Sequence, residues 1–203
     1  MASVEPRPDK SVDLGRQVRE RQFADARRPP DTVVSMSATD RTLLLLRHAK
    51  SDYPDGVVDH DRPLAPRGIR EAALAGDWIR ANVAPVDAVL CSTATRSRQT
   101  LARTGIEADV RFDDDLYDSA PGTVIRLING VADDVRTLLV VGHEPTMSML
   151  ALGLGDVDGS DPAAVERIAT KFPTSSIAVL VTSQTWDRLE LHSAQLVGFH
   201  VPR

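Results

Sequence analysis

The 203-residue sequence holds a single cysteine, Cys91. That excludes an internal disulfide framework and a cysteine-ligated zinc site. Aromatic residues make up only 4% of the chain, and its two tryptophans, Trp78 and Trp186, read as packing residues and not as ligand platforms. No apolar run approaches the roughly 20 residues that cross a bilayer, and residues 1–30 lack the apolar core of a signal peptide. A cytoplasmic protein with no membrane partner is expected. An excess of positive charge is also missing: 24 Lys and Arg face 29 Asp and Glu, for a net charge of −5. A general nucleic-acid binder is therefore not expected. No internal repeat or low-complexity segment occurs. What is present is an ordinary 42% of hydrophobic residues, enough for one globular domain.

The charge is unevenly spread. Residues 1–40 are neutral overall, with seven basic and seven acidic side chains, so the whole −5 belongs to residues 41–203. Residues 1–40 hold four prolines and few large apolar residues. They read as a flexible or weakly helical N-terminal extension, with one thin candidate helix from Asp13 to Arg28. Met36 opens MSATDRTLLLLRH, so the first 35 residues are either a genuine extension or an upstream start codon.

From Arg41 the pattern changes. Thr42 to Leu46 and Thr137 to Val141 are short continuous apolar runs, as expected of strands buried on both faces. Weaker strands are expected over Asp87–Cys91, Val110–Phe112, Ser176–Thr182 and Arg188–Leu191. Helices are expected over Pro66–Val83, from Thr95 to a stop at Gly105, over Gly122–Ala132, from Pro145 to Leu152 and over Pro162–Ala169. Strands alternating with helices predict an α/β three-layer sandwich, its mostly parallel central sheet flanked by helices on both faces.

Ligands of such sheets bind beyond the carboxyl ends of the strands. The first strand ends Leu46-Arg47-His48-Ala49. The next ends Cys91-Ser92 and leads to Arg96 one helical turn later. The strong later strand ends Gly142-His143-Glu144-Pro145. Two arginines and two histidines thus meet at three strand ends. The segments LLLLRHAKS, CSTATRSRQT and VVGHEP resemble the three motifs of the histidine phosphatase superfamily, also called phosphoglycerate mutase-like. Ala49 stands where the family usually has Gly. Ser92, Arg96 and Thr100 fit the Ser-x-x-x-Arg-x-x-x-Thr pattern. DRPLAPRGIREA is similar to a Pro-Leu-Thr-x-x-Gly stretch, with Ala65 where Thr is common, which removes a potential helix cap. The resemblance runs from about Thr42 to the C-terminus and is strongest to the SixA branch of phosphohistidine phosphatases.

The resemblance implies a phosphatase with a phosphohistidine intermediate. His48 would be the nucleophile, attacking as neutral imidazole that the flanking guanidiniums keep unprotonated. Arg47 and Arg96 would clamp the phosphoryl oxygens through planar forks, and His143 would donate a further hydrogen bond. The N-termini of the helices after Ser92 and Glu144 would add backbone donors. Ser51 is either a phosphate contact or an ordinary turn hydroxyl. The general acid is Glu144, Asp118 or Asp52, with Glu144 favoured. No metal and no cofactor is implied. Asp59-His60-Asp61 could suggest a metal site but reads as a solvated loop whose acidic residues orient Arg62. His60, His192 and His200 read as surface or structural, Cys91 as an inert core thiol, and the run from Asp113 to Asp115 as a solvated turn.

Three function classes follow. The first is a SixA-like phosphatase whose partner is a phosphohistidine-bearing protein. The second is a small-molecule phosphomonoesterase, and the third an inactive phosphate-binding module. Only about 25 residues separate Arg111 from Thr137, too few for a long lid, and the open site this implies favours the first. Composition leaves the oligomeric state open.

Overall fold

A computed structural model describes Met1 and residues 40–203. The expectations for residues 1–39, including the Asp13–Arg28 helix and the Met36 start, lie outside the described residues.

The apolar run after Asp40 becomes β1 (Arg41–Arg47), and every one of its leucines is buried. Strand geometry sends alternate side chains to opposite faces, so a run buried throughout needs cover on both. Leu43 and Leu45 join Leu90, Leu138 and Val140 on one face; Leu44 and Leu46 join Val89, Cys91, Leu139 and Val141 on the other. Each fully buried leucine contributes about 1.5–3 kcal/mol from removal of apolar surface from water. The two clusters are the two cores of a three-layer sandwich.

The remaining elements follow in chain order. They are α1 (Pro66–Asn82), β2 (Ala88–Ser92), α2 (Thr95–Thr104), β3 (Asp109–Asp113), α3 (Pro121–Asn129), β4 (Thr137–Gly142), α4 (Thr146–Leu154), α5 (Pro162–Thr170), β5 (Ile177–Thr182) and β6 (Gln195–His200). The sheet order is β3-β2-β4-β1-β5-β6. The first four strands in the chain are mutually parallel; β5 runs antiparallel to β1, and β6 antiparallel to β5, so β5 alone is reversed among the six. Helices α1 and α2 contribute Ala75, Ile79 and Leu101 to one core; α3, α4 and α5 contribute Val124, Ile128, Leu150 and Ile168 to the other.

One expected strand is corrected. Arg188–Leu191 is not a strand: a 3-10 turn spans Trp186–Arg188, and the last strand is Gln195–His200. Trp186 plugs the core completely buried, and its Nε1 donates to the Val135 carbonyl at 2.8 Å. The Asn129 Nδ2 donates to the carbonyls of both Trp186 and Leu189. The apolar residues here fill the end of a core as a turn, which their pattern does not distinguish from a short strand. β6 carries Gly198 and a register shift opposite Val179 and Leu180, which blurs its alternation.

Two glycines shape the packing of α2, one as its cap and one by permitting close approach of α1. Gly105 ends α2 in the left-handed conformation at φ 63°, as expected of a C-terminal cap. A Cβ on Gly76 of α1 would stand 1.9 Å from the Thr104 carbonyl oxygen of α2. Gly76→Ala should therefore push the helices apart and cost about 1–3 kcal/mol of stability, the usual range for overpacking. Urea unfolding reads this directly, and an unchanged midpoint would refute the close-contact argument.

Candidate active site

The sheet order places β4 between β2 and β1. The three motifs therefore share one edge, at the carboxyl ends of three adjacent strands. The His48 backbone N–H donates to the Gly142 carbonyl at 2.9 Å, joining the first and third motifs directly. Thr100, one turn after Arg96 on α2, ties in the second. It accepts the Ala49 N–H at 2.9 Å and donates to the Arg96 carbonyl at 2.7 Å.

Hydrogen bonding to groups of fixed role settles both imidazole tautomers. His48 Nδ1 lies 2.8 Å from the Ala49 carbonyl oxygen, which can only accept, so Nδ1 carries the proton. Nε2 is then the lone-pair nitrogen, and the Arg96 Nε donates to it at 3.3 Å. For His143 the logic runs in the other sense. Arg96 Nη2 can only donate, so His143 Nδ1, 3.3 Å away, accepts. His143 Nε2 then carries the proton and points at the Ser92 Oγ, 2.8 Å away, with the Ser97 Oγ at 3.2 Å. In this state His143 faces the arginine as an acceptor, whereas the sequence suggests a donor to phosphate. The two imidazole centroids stand 4.9 Å apart.

Both histidines are buried, and both are held neutral. Burial is the main cause of the fall of His48 to about 3; the hydrogen bond to the Ala49 carbonyl acts against it, and smaller repulsions from His143, Arg96 and Arg47 add to it. Burial also leads the fall of His143 to about 4, with Arg96 next. The sequence assigns this effect to the guanidiniums; in the folded protein they come second to loss of solvent. Arg47 is likewise pulled below its ordinary value by burial, with Glu144 acting against the shift. Its Nη1 donates to the Phe172 carbonyl at 2.6 Å, while its Nε is buried without a partner. A buried N–H with no acceptor is costly, and an anion would satisfy it.

The other candidates are placed as follows. Glu144 is half-buried, and its carboxylate accepts the Ser148 N–H at 3.3 Å in the first turn of α4. Asp118 is exposed with φ 48°. Asp52 is exposed, and its carboxylate accepts the Tyr53 N–H. Ser51 is buried, and its hydroxyl accepts from Arg62 Nη2. His192 bonds the Gly155 carbonyl and His200 stacks on Trp78, both outside the cluster just described. Burial raises the Cys91 thiol to about 12, as suits an inert core residue. Among the described residues no group of three or more His, Cys, Asp or Glu side chains is arranged to hold a metal ion, and no helix is long and apolar enough to cross a membrane.

Two residues at the site lack any motif in the sequence. Asp59 does pair with Arg62 as expected, but its carboxylate also reaches Arg96. The Tyr117 hydroxyl donates to Asp59 Oδ2 at 2.7 Å, and its ring meets His143 edge-on at 5.4 Å. His60 lies beside them, its ring edge-on to Tyr117 at 5.0 Å and its Nε2 3.2 Å from the Thr93 hydroxyl. The charge pattern DHD before Arg62 was the only available signal for Asp59. Tyr117, inside LYDSAPG, had none.

Residues 43–129 match the histidine phosphatase superfamily (branch 1). An uncharacterized protein of Mycobacterium tuberculosis is 66% identical over 158 residues, which span 78% of this chain and all of its own length. The solved structure of a candidate phosphohistidine phosphatase SixA from Nakamurella multipartitia is 41% identical. It superposes with a TM-score of 0.73 over 80% of this chain and 96% of its own. A corresponding SixA structure from Agrobacterium tumefaciens is 29% identical, with a TM-score of 0.66 over 80% of this chain and 99% of its own.

The depressed values fix the sign of the pH response. Between about pH 6.5 and 3 an ordinary histidine is protonated while His48 is neutral. The unfolded chain therefore binds the extra proton, and this contribution to stability is lost as pH falls through that window. In ¹⁵N NMR at pH 5, His48 should show the shifts of a neutral, Nδ1-protonated imidazole. A His48 titration centred near 6.5 would refute the burial argument.

Proposed function

This chain belongs to the histidine phosphatase superfamily, and we propose that it is a SixA-like phosphatase that removes phosphoryl groups from protein-borne phosphohistidine through its own phosphohistidine at His48. The observation that carries this reading is the His48 Nε2 lone pair, aimed at the Nε–H of Arg96 beside a second neutral imidazole.

The phosphoryl group binds with its oxygens on the Arg96 side edge and the unpaired Arg47 Nε–H. His48 Nε2 attacks phosphorus, the N–P bond forms, and the bond to the leaving nitrogen or oxygen breaks. The electron pair leaves with that atom, which is then protonated. The Ala49 carbonyl, already holding Nδ1–H, steadies the charge that develops on the ring. The bound dianion favours a second proton on His143, whose Nδ1–H then donates to a phosphoryl oxygen. Water next attacks phosphorus, the N–P bond breaks, and inorganic phosphate leaves with the His48 lone pair restored. Guanidinium and imidazole groups supply the positive charge, so the reaction is proposed to need no metal.

The choice of a protein substrate rests on openness. The segment after β3 forms only the 3-10 turn Asp114–Leu116 and α3, whose Val124 and Ile128 are buried in the core. Its helix packs down onto the core, its turn brings Tyr117 to the site, and so short a segment leaves no length for a long lid. A side chain displayed on another protein can enter such a site, whereas small ligands usually need enclosure. A small-molecule phosphomonoesterase is the second reading. An inactive phosphate-binding module is the third, opposed by the full set of arginines and histidines.

A substrate panel separates the readings. Turnover of a phosphohistidine protein should exceed that of small phosphate esters, and His48→Ala should abolish both. A strong preference for one small ester would overturn the protein-substrate reading, and no turnover at all would favour the inactive module.

Proton donation falls to Glu144, one residue after His143 and electrostatically coupled to Arg47. An ester oxygen needs that proton more than an imidazole does. Glu144→Gln should slow ester hydrolysis by about 100-fold, the lower end for losing a general acid, and leave phosphohistidine turnover within a few-fold. Equal losses on both substrates would remove Glu144 from this role.

A further inference from the structure

The Arg96 guanidinium has two usable edges, and the structure separates them. The side edge, Nε–H and Nη2–H, faces the lone pairs of His48 and His143, both at 3.3 Å. The end edge is turned away onto one residue. Nη1 donates to the Asp59 carbonyl at 2.6 Å, and Nη2 donates to Asp59 Oδ2 at 2.9 Å.

Asp59 is itself held. Its Oδ1 pairs with Arg62 Nη1, and its Oδ2 accepts the Tyr117 hydroxyl. Arg62 is fixed in turn by the Ser51 hydroxyl and the Asp52 carbonyl, and it stacks 3.4 Å over the Tyr53 ring. The carboxylate stays ionised: the Tyr117 hydrogen bond, helped by Arg96 and Arg62, holds Asp59 at about 2.

We propose that Asp59 is a positioning residue, which grips the end edge of Arg96 so that its side edge points into the gap between His48 and His143. An arginine side chain loses much rotamer freedom when fixed, and a displacement of about 1 Å at a reacting group can cost about 100-fold in rate. Asp59 and its supports, Tyr117 and Arg62, meet that cost in the empty enzyme. The phosphoryl group then finds a fork already aimed, and the negative charge of Asp59 lies behind that fork, on its far edge.

This inference rests on reading the site as a phosphatase, so its test includes a measurement that needs no turnover. Asp59→Asn should lower kcat about tenfold, and Asp59→Ala about 100-fold, with KM changed less than threefold. Affinity for vanadate, which mimics the five-coordinate transition state, should fall in parallel with kcat, while affinity for inorganic phosphate stays nearly constant. Tyr117→Phe should show a smaller loss of the same kind. In an Arg96→Lys background Asp59→Ala should have almost no further effect, because Asp59 acts only through that fork. Thermal unfolding of each variant controls for loss of structure.

Multiplicative losses in the double variant would overturn the proposal. So would tighter phosphate binding in Asp59→Asn, which would make Asp59 a competing internal anion. A loss confined to ester substrates would make it a proton donor and overturn the proposal equally. If the unsubstituted chain turns over no substrate, the phosphatase reading fails, and the vanadate affinities still decide whether Asp59 orients Arg96.

Discussion

A guanidinium that stays charged and is taken out of water must find an acceptor for almost every N–H it carries. Arg96 is 6% exposed, and satisfying it sets the character of the whole site. Two of its partners are imidazole nitrogens, which can accept only if they are unprotonated. Both rings must therefore be neutral, each with its proton on the far nitrogen. The Ala49 carbonyl takes one of these protons and the Ser92 hydroxyl faces the other. The third partner is a carboxylate, which must be ionised, and Tyr117 with Arg62 keeps it so. A free lone pair on His48, the feature a nucleophile needs, thus follows from the demands of a neighbouring buried cation.

The sheet makes this arrangement attainable. β1 and β4 are buried on both faces and pair in register, so the backbones that end in His48 and His143 are rigid at their exits. α2 is clamped through Thr100 to Ala49, two residues past the end of β1, which carries Arg96 to the same place. The site is therefore assembled from rigid strand ends and one helical turn, to which the long β1–α1 loop adds Asp59, held there by Arg62. This also resolves the sign of the charge. The chain is acidic overall, yet the site concentrates Arg47, Arg96 and Arg62, and Asp59 forms ion pairs with two of them. For an anionic substrate, this local field matters more than the net value.

Much of this was readable beforehand, for identifiable reasons. Continuous apolar runs can only be strands covered on both sides, so β1 and β4 were plain. Arg96 and Thr100 lie four apart, which places them on one helical face. The strand-end rule then gathers Arg47, His48, Ser92 and His143 from the sequence. Arg188 to Leu191 reads as a strand because a core-filling turn and a short strand share the same apolar content, whereas Trp186 is the packing residue its type suggests. Asp59 went half-recognised because its partner in sequence, Arg62, is three residues away, while the partner that matters most, Arg96, is 37 residues away.

The amino-acid sequence by itself determined the strands that carry the three motifs, which residues end them, and so which side chains could meet. Those are local properties, set by side-chain period, burial and the positions of proline and glycine. The tertiary structure alone decided that β4 lies between β1 and β2, that both imidazoles are neutral with opposite tautomers, and that Asp59 and Tyr117 hold the far edge of Arg96. Each of these depends on contacts between residues distant in the chain and on exclusion of water. Desolvation and hydrogen-bond satisfaction are properties of a packed environment, and no spacing along a sequence specifies them.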